Sequence, residues 1–189
     1  MINNSFKTAL FLLPLIANAT SWSGTVIGIS DGDTLTVLNA QKQPVKIRLT
    51  EIDAPEKSQT FGQKSKQSLT KLCLKKTATV EDKGKDKYNR TLARITCNGI
   101  DANAEQVKKG NAWAYRQYLT DPTIADLETT AQANKTGLWA DKNPTPPWEF
   151  RHSKPTTDNR YITGQRGGCY TLTDSGKKHY ADHSLCKHH

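Results

Sequence analysis

The clearest indication of the fold is the stretch TVIGISDGDTLTVLNAQKQPVKIRLTEIDAPE, residues 25–56. Its segments 25–30, 34–40 and 45–50 have the composition of short strands, and apolar and polar residues alternate along the second of them. The turn sequences DGD and QKQP separate these segments. The stretch therefore predicts three consecutive short strands that end in a loop rich in acidic residues.

Two more strands and three helices are predicted before residue 141. Residues 77–82 and 91–97 alternate like strands, and the loop between them is dense in lysine and arginine. The helices are expected over residues 63–74, from Asp101 to Gly110 and from Asp121 to Asn134. Five strands with a helix between the third and the fourth are typical of a closed OB-type barrel, a mainly β (α+β) fold. Such a barrel leaves a groove on one face in which oligonucleotides or other ligands bind.

The first 19 residues have the pattern of a secretory signal peptide. Lys7 precedes an apolar run from Ala9 to Ile16, and small residues follow at Ala17 and Ala19. The apolar run is too short to cross about 30 Å of hydrocarbon. We expect cleavage after Ala19 and a periplasmic or secreted protein without a membrane span.

The chain is basic. Its formal net charge is +9, or +8 without residues 1–19, which contain Lys7 and no acidic residue. Such a charge attracts polyanions, either nucleic acid or an anionic envelope surface. Composition alone also fits an exported protein whose basic surface is simply solvated and has no polyanionic partner.

The C-terminal part differs in composition from the predicted barrel domain, residues 20–141. Residues 142–160 contain four prolines and have the composition of a linker, and residues 161–189 are expected to form a small basic extension bounded by cysteines. Residues 151–189 carry seven Lys and Arg against three Asp, so this tail is expected to add nonspecific affinity for phosphates.

Four cysteines in an exported chain predict two disulfides, for which three pairings exist. We expect Cys73–Cys97 and Cys169–Cys186, because the members of each pair lie in one segment. The alternative for the tail is a zinc site, although its spacing is not that of a standard zinc finger. Its ligands would be Cys169, His179, His183 and Cys186.

The distribution of histidines restricts the chemistry of the barrel. All five lie after residue 151, which excludes a Ser-His-Asp triad or a histidine-ligated metal in the barrel. Carboxylates suit a hard cation such as Ca²⁺, and an arginine fork matches two phosphate oxygens. With a carboxylate base they could hydrolyse a phosphodiester, although each acidic turn taken alone also fits a structural role. The residues concerned are Asp31, Asp33, Arg48, Asp53, Glu56 and Arg90.

Three motifs in a fixed order resemble the staphylococcal nuclease family. They are DGDT at 31–34, IRLTEIDAPE at 47–56 and DKYNRTLARI at 86–95. FGQKSKQSL, NAEQVKKGNAWAY and AQANKTGLWAD also match, so the likeness runs from Thr25 to Asp141.

The resemblance implies a Ca²⁺ site at the two acidic turns. Asp33 and Asp53 would be its carboxylate ligands, and the backbone carbonyl of Ala54 would complete the protein contribution. Family members often have threonine at that place, but a carbonyl ligand makes little demand on the side chain. Asp31 would steady the turn or a metal-bound water.

The resemblance also implies roles toward the substrate. Arg48 and Arg90 would bind the scissile phosphate, and Glu56 would act as general base or orient water. Loop 57–62 is shorter here than in the family and carries only Lys57 as a basic residue. For Tyr115, as for Trp113, core packing is the alternative to base stacking. Further substrate contacts would be Lys87 and Tyr88 at a terminal phosphate and Tyr115 beside a base.

The expected function is that of an exported, monomeric, Ca²⁺-dependent endonuclease. It would cleave DNA and RNA with little sequence preference and leave 3′-phosphate ends, as the resemblance implies. One alternative is a catalytically silent nucleic-acid-binding OB module. Another is an envelope-adhesion protein whose basic tail binds anionic polymers.

Overall fold

A computed structural model of the chain contains two compact units, residues 1–141 and 142–189. The predicted signal peptide, like His183, His188 and His189, lies outside the residues that the structure describes. None of the described helices is long and apolar enough to cross a membrane. The described residues are 21–153, 162–164, 167–173, 177–182 and 186.

The first unit is built around a closed five-stranded barrel, as the sequence predicts. Its sheet has the order β3-β2-β1-β5-β6, and a parallel pairing of β3 with β6 closes it. The other neighbours in the barrel are antiparallel. The strands of the unit are β1 (Ser21–Ile29), β2 (Thr34–Leu38), β3 (Pro44–Leu49), β4 (Ile52–Asp53), β5 (Thr77–Lys85), β6 (Thr91–Cys97), β7 (Ile100–Asp101) and β8 (Trp113–Ala114).

The interior of the barrel is filled by every second residue of its strands. Ile47 and Leu49 on β3 point inward, so Arg48 between them points outward. Each large apolar side chain that is buried in this way contributes about 1.5–3 kcal/mol. The fully buried aliphatic side chains of the core include Val26, Leu35, Val37, Ile47, Leu69, Val80, Ile95, Val107 and Ile124.

Three helices pack around the barrel, and two of them start at the predicted residues Asp101 and Asp121, whose side chains cap them. The Asp101 carboxylate accepts the Ala104 N–H at 3.0 Å, and that of Asp121 accepts the Thr123 N–H at 2.9 Å. The helices are α1 (Gly62–Cys73), α2 (Ala102–Lys108) and α3 (Pro122–Ala133), with short 3-10 helices at Arg116–Tyr118 and Gly137–Ala140.

Three very short strands, β4, β7 and β8, were not predicted from the sequence, and two of them, β4 and β8, matter for the site. In β4 and β8, Ile52 pairs with Ala114 and Asp53 pairs with Trp113. The Tyr115 N–H continues the pairing by donating to the Glu51 carbonyl at 2.8 Å. Strands of two residues leave no alternation to detect, so only the fold reveals them.

The second unit contains a short helix and a small sheet. The helix, α4 (Pro147–Ser153), lies in the segment that the sequence analysis interprets as a linker. The antiparallel sheet has the order β11-β10-β9. Its strands are β9 (Ile162–Thr163), β10 (Cys169–Leu172) and β11 (Lys178–Ala181).

The predicted cysteine pairing is confirmed. Cys73 at the end of α1 is bonded to Cys97 at the end of β6, and Cys169 is bonded to Cys186. The second disulfide leaves no thiolate at either position for the alternative zinc site.

Candidate active site

The guanidinium of Arg48 joins the two acidic turns. Its Nη2 lies 2.8 Å from Asp53 Oδ1 and 3.2 Å from Asp33 Oδ2. Its Nη1 donates to the carbonyls of Leu49, at 2.7 Å, and Ile52, at 2.9 Å. Asp33 is only 5% exposed and Asp53 only 1%. Three of the predicted site residues are therefore held together at the end of β3.

The turn between β1 and β2 is fixed to the loop after β3 by Asp33. Its Oδ2 accepts the Ala54 N–H at 2.7 Å, and its own N–H donates to Asp31 Oδ1 at 3.1 Å. Gly32 packs so tightly against α1 that an added β-carbon would lie 1.8 Å from Ser65 Oγ. Ala54 thus lies beside both aspartates, and Asp31 lies next to Asp33 in the turn.

The carboxyl group of Asp33 is buried beside other acids. Burial raises its pKa to about 7, Arg48 acts against this rise, and the charges of Asp31 and Asp53 add to it. Burial therefore outweighs the attraction of the Arg48 guanidinium. A divalent cation with oxygen ligands would favour the charged form of this carboxylate.

The metal-binding capacity rests on few side chains. Among the described residues, no group of three or more His, Cys, Asp or Glu side chains is arranged to hold a metal ion. The resemblance assigns Asp33 and Asp53, with the carbonyl of Ala54, to a cation. This donor set suits a cation that keeps part of its coordination shell for water or substrate.

Arg90 is held by Asp86 rather than by the acids that bind Arg48. Its Nε donates to Asp86 Oδ2 at 2.7 Å, and Oδ1 accepts the N–H groups of Tyr88 and Arg90, both at 2.9 Å. Burial acts to raise the pKa of Asp86, but the hydrogen bonds from Arg90 and Tyr88 outweigh it, and the pKa is lowered. The sequence analysis did not single out Asp86. Its signal is an aspartate that opens a turn and can accept N–H groups further along it.

The parallel pairing of β3 with β6 brings the segments that carry the two arginines together. Arg48 pairs with Leu92, and Ile47 pairs with Thr91. Arg48 and its partner Leu92 therefore face the same outer side of the barrel. Arg90 lies immediately before the first residue of β6, so the pairing of the two strands brings it into the neighbourhood of Arg48.

The loop between β5 and β6 carries Lys87, Tyr88 and Arg90 close together. The Lys87 Nζ lies 5.1 Å from the centroid of the Tyr88 ring, and the Arg90 Cζ lies 5.5 Å from it. Tyr88 is 68% exposed. The substrate contacts predicted for Lys87 and Tyr88 thus lie beside one of the two predicted phosphate-binding arginines.

Glu56 lies in a tight turn after the acidic loop. Its N–H donates to Gln59 Oε1 at 3.0 Å, and its carbonyl accepts the Gln59 N–H at 2.9 Å. A β-carbon on Gly62 would lie 1.9 Å from that carbonyl oxygen, so the start of α1 closes on the turn. These contacts fix the backbone of Glu56, and the residue as a whole is half-buried. Gln59 is a second supporting residue that sequence reasoning missed.

The pairing of β4 with β8 places Tyr115 beside the acidic loop. Its ring packs edge-on against Tyr118, with centroids 4.8 Å apart, and Tyr118 is 57% exposed. Trp113 instead packs against Trp139, with centroids 4.2 Å apart, in a separate apolar cluster. The structure thus favours packing for Trp113 and leaves Tyr115 at the edge of the site.

Glu51 anchors this edge, and the sequence analysis did not identify it. Its Oε1 accepts the N–H and the hydroxyl of Thr120, both at 2.6 Å, and the N–H of Asp121 at 2.8 Å. Its Oε2 lies 3.6 Å from Arg94 Nη1. Burial acts to raise the pKa of Glu51, but the hydrogen bonds from Thr120 and Asp121 and the charge of Arg94 lower it overall. The signal in the sequence is only an acidic residue that directly follows the strand-like segment 45–50.

Comparison with known proteins agrees with this geometry. Residues 46–141 match the family model described as "Staphylococcal nuclease homologue". A Haemophilus influenzae protein named "Uncharacterized endonuclease" is 46% identical over 158 residues, which cover 82% of this chain and 89% of that protein. An Escherichia coli protein of the same name is 40% identical over 75% of this chain and 97% of its own length. A Shigella flexneri protein named "Micrococcal nuclease" is 36% identical over 77% of this chain and 91% of its own length. The chain belongs to the staphylococcal nuclease family.

Proposed function

We propose that this nuclease is a Ca²⁺-dependent endonuclease that cleaves DNA and RNA with little sequence preference and leaves 3′-phosphate ends. The observation that carries the proposal is the single guanidinium nitrogen of Arg48 that contacts both Asp33 and Asp53. It joins a buried acidic pair to a phosphate-binding side chain. The relatives named endonuclease and micrococcal nuclease support the same reaction class.

The acidic pair suits a calcium ion. Asp33, Asp53 and the carbonyl of Ala54 would hold it, since hard cations take oxygen ligands. The raised pKa of Asp33, to about 7, supports this assignment, because burial and the charges of Asp31 and Asp53 disfavour the charged carboxylate, which a bound cation would favour. When bound, the ion would supply positive charge beside the scissile phosphate.

The side chains of the chain account for the remaining chemistry. Glu56 would accept a proton from the attacking water, whose oxygen forms a bond to phosphorus as the bond to the 5′ oxygen breaks. Arg48 and Arg90 would donate hydrogen bonds to phosphate oxygens whose charge grows in the transition state. To reach the phosphate, Arg48 would exchange part of its contact with the two aspartates for phosphate oxygens.

A metal series on defined substrates tests the proposal. Labelled single-stranded DNA and RNA would be incubated with the enzyme in chelator alone, and in chelator with excess Ca²⁺ or Mg²⁺. We expect cleavage with Ca²⁺ and none in chelator. Products that gain a free 3′ hydroxyl on phosphatase treatment would identify 3′-phosphate ends. Undiminished cleavage in chelator would contradict the metal requirement, and 5′-phosphate ends would contradict the proposed polarity.

An arginine variant separates catalysis from simple binding. Arg90→Ala should lower the rate of cleavage by about 10²-fold or more, as for other transition-state donors, and retain most of the affinity for DNA. Lys83→Ala is the matched control, because it removes an exposed positive charge near the end of β5, where Lys83 Nζ lies 3.7 Å from Glu81 Oε2. Equal activity of Arg90→Ala and the control would refute the role of Arg90.

We also propose that the protein is exported and acts as a monomer. The signal-peptide pattern and the two disulfides support export, because disulfides persist in oxidising compartments. N-terminal sequencing of protein recovered from periplasm or medium should begin at Thr20. Sedimentation should give a single species of the monomer mass.

A further inference from the structure

One face of the three-stranded sheet in the second unit carries aromatic, aliphatic and cationic side chains. Tyr170 on β10 pairs with Ile162 on β9 and with Tyr180 on β11, and Leu172 pairs with Lys178. Because side chains alternate between the two faces of a strand, these five project from the same face. We call this set the tyrosine face.

The two tyrosine rings form a compact group with a lysine. The ring centroids of Tyr170 and Tyr180 are 6.0 Å apart, with 58° between the planes, and the Lys178 Nζ lies 4.4 Å from the Tyr170 centroid. A β-carbon on Gly164 would lie 3.3 Å from the Tyr170 ring, and one on Gly168 would lie 3.5 Å from the Tyr180 ring. Each tyrosine ring thus lies next to a glycine, which has no side chain in the space that the ring occupies.

Much of the tyrosine face is exposed. Tyr180 is 69% exposed, Leu172 47% and Ile162 41%. Adjacent exposed aromatic and aliphatic side chains commonly mark a binding surface. The opposite face of the same sheet differs, since it carries the buried Cys169 of the disulfide.

The charge of the unit indicates which kind of ligand fits. Residues 142–189 contain eight Lys and Arg against four Asp and Glu, a net charge of +4, and none of the five positions of the tyrosine face is acidic. A matching ligand is anionic and also offers flat apolar groups. Single-stranded nucleic acid has both, since its bases are free to stack on aromatic rings and its phosphates attract lysine. In a duplex the faces of the bases are already stacked on one another.

We propose that the tyrosine face binds single-stranded nucleic acid, with a base stacked on Tyr180 and a phosphate close to Lys178. This binding goes beyond the proposed function, because it requires neither the metal nor hydrolysis at the barrel. It gives the enzyme a second contact with the same class of polymer.

Binding by the full-length protein would be measured in chelator, with fluorescein-labelled dodecathymidylate as the probe. Tyr180→Ala should weaken binding about tenfold, as expected for the loss of one stacked base. Tyr180→Phe should bind like the wild type. Tyr180→Leu should behave like Tyr180→Ala, because leucine keeps apolar bulk but has no ring.

The matched control is His179→Ala, which changes the neighbouring exposed side chain on the opposite face of β11. It should leave binding unchanged. An ultraviolet cross-link from an iodouridine-substituted oligonucleotide should map to a peptide that contains Tyr180. Circular dichroism of each variant would establish that the sheet is intact.

Three outcomes would overturn the proposal. Tyr180→Leu could bind like the wild type, which would remove the stacking argument. The Tyr180→Ala substitution could weaken binding to a duplex of twelve base pairs as much as it weakens binding to the single strand. The variants could bind the oligonucleotide normally but lose binding to phosphatidylglycerol vesicles, which would assign the face to anionic surfaces. None of these outcomes bears on metal-dependent cleavage at the barrel, so the two proposals fail separately.

Discussion

Asp86 and Arg90 close a five-residue turn by three mutual hydrogen bonds. Arg90 Nε donates to Oδ2 at 2.7 Å, the Arg90 N–H donates to Oδ1 at 2.9 Å, and the Asp86 N–H donates to the Arg90 carbonyl at 3.0 Å. The guanidinium proposed to bind phosphate is therefore positioned by a carboxylate that itself has no proposed contact with the substrate.

This relationship predicts a catalytic effect of Asp86. In Asp86→Ala the arginine keeps its charge but loses its fixed orientation, and small misplacements of a catalytic group are costly. We expect a decrease of about tenfold or more in kcat with a smaller change in KM. Initial rates on a labelled oligonucleotide would measure both constants. The control is Asp82→Ala, which removes a carboxylate near the end of β5 that accepts the Gly84 N–H. It should change kcat little.

Because Asp33 is buried, we expect its substitution to raise stability and to lower activity. Its pKa is raised from 3.8 to about 7, so the folded state binds this proton more tightly than the unfolded state does. The associated stability is present below pH 3.8 and is lost as the pH rises toward 7. In chelator, Asp33→Asn should therefore gain stability relative to the wild type across this window. At pH 8 the gain should be about 1 kcal/mol or more, with a melting temperature a few degrees higher.

Thermal unfolding of both proteins at pH 4, 6 and 8 would test the sign of this effect. The same substitution should abolish cleavage, because an amide is a poor substitute for a calcium-binding carboxylate. A difference in stability between variant and wild type that does not move in favour of the variant from pH 4 to pH 8 would contradict this prediction.

Glu51 predicts the opposite dependence on pH. Its pKa is lowered from 4.5, so its contribution to stability is present above pH 4.5 and is lost as the pH falls through the folded value. Glu51→Gln should cost about 1–3 kcal/mol in urea unfolding at pH 7, since it weakens charge-assisted hydrogen bonds to Thr120 and Asp121. The difference should shrink at pH 3. Glu105→Gln is the control, because its pair with the exposed Lys109 is worth only about 0.5 kcal/mol.

The two disulfides predict separate effects on stability. The Cys73–Cys97 bond joins α1 to β6 with a sequence separation of 24, so its removal should cost the barrel about 3 kcal/mol through loop entropy. We expect the double variant Cys73→Ala/Cys97→Ala to melt several degrees lower. Calorimetry of Cys169→Ala/Cys186→Ala is the internal comparison, since that bond lies in the second unit. An equal decrease of the barrel transition in both variants would contradict the separation of the units.

Much of the candidate site could be predicted because its members are neighbours in sequence. Arg48, Asp53 and Glu56 lie within nine residues at the end of one strand, and the chain cannot carry such residues far apart. The acidic turn at Asp33 could be recognised because it separates two strand-like segments, and a hairpin needs a turn at that place. The barrel strands were predictable for a similar reason, since one buried face imposes a period of two.

The supporting residues could not be predicted in this way. Glu51 accepts hydrogen bonds from Thr120 and Asp121, which lie 69 and 70 residues further along the chain. An acidic residue alone in a strand-like segment has many possible partners, and nothing local selects among them. Asp86 is a local case, but an aspartate in a turn usually has a purely structural role.

The amino-acid sequence was enough to predict the order of the five barrel strands and three helices, the first residues of α2 and α3, the cysteine pairing and the acids and arginines at the strand ends. It could not show that Arg48 contacts both aspartates, that Arg90 is bound by Asp86, or that β4 and β8 bring Tyr115 to the acidic loop. The difference lies in the range of the interactions. Backbone periodicity and capping act over a few residues, whereas the charge balance around Asp33 depends on groups that meet only when β3 pairs with β2 and β6 and the barrel closes.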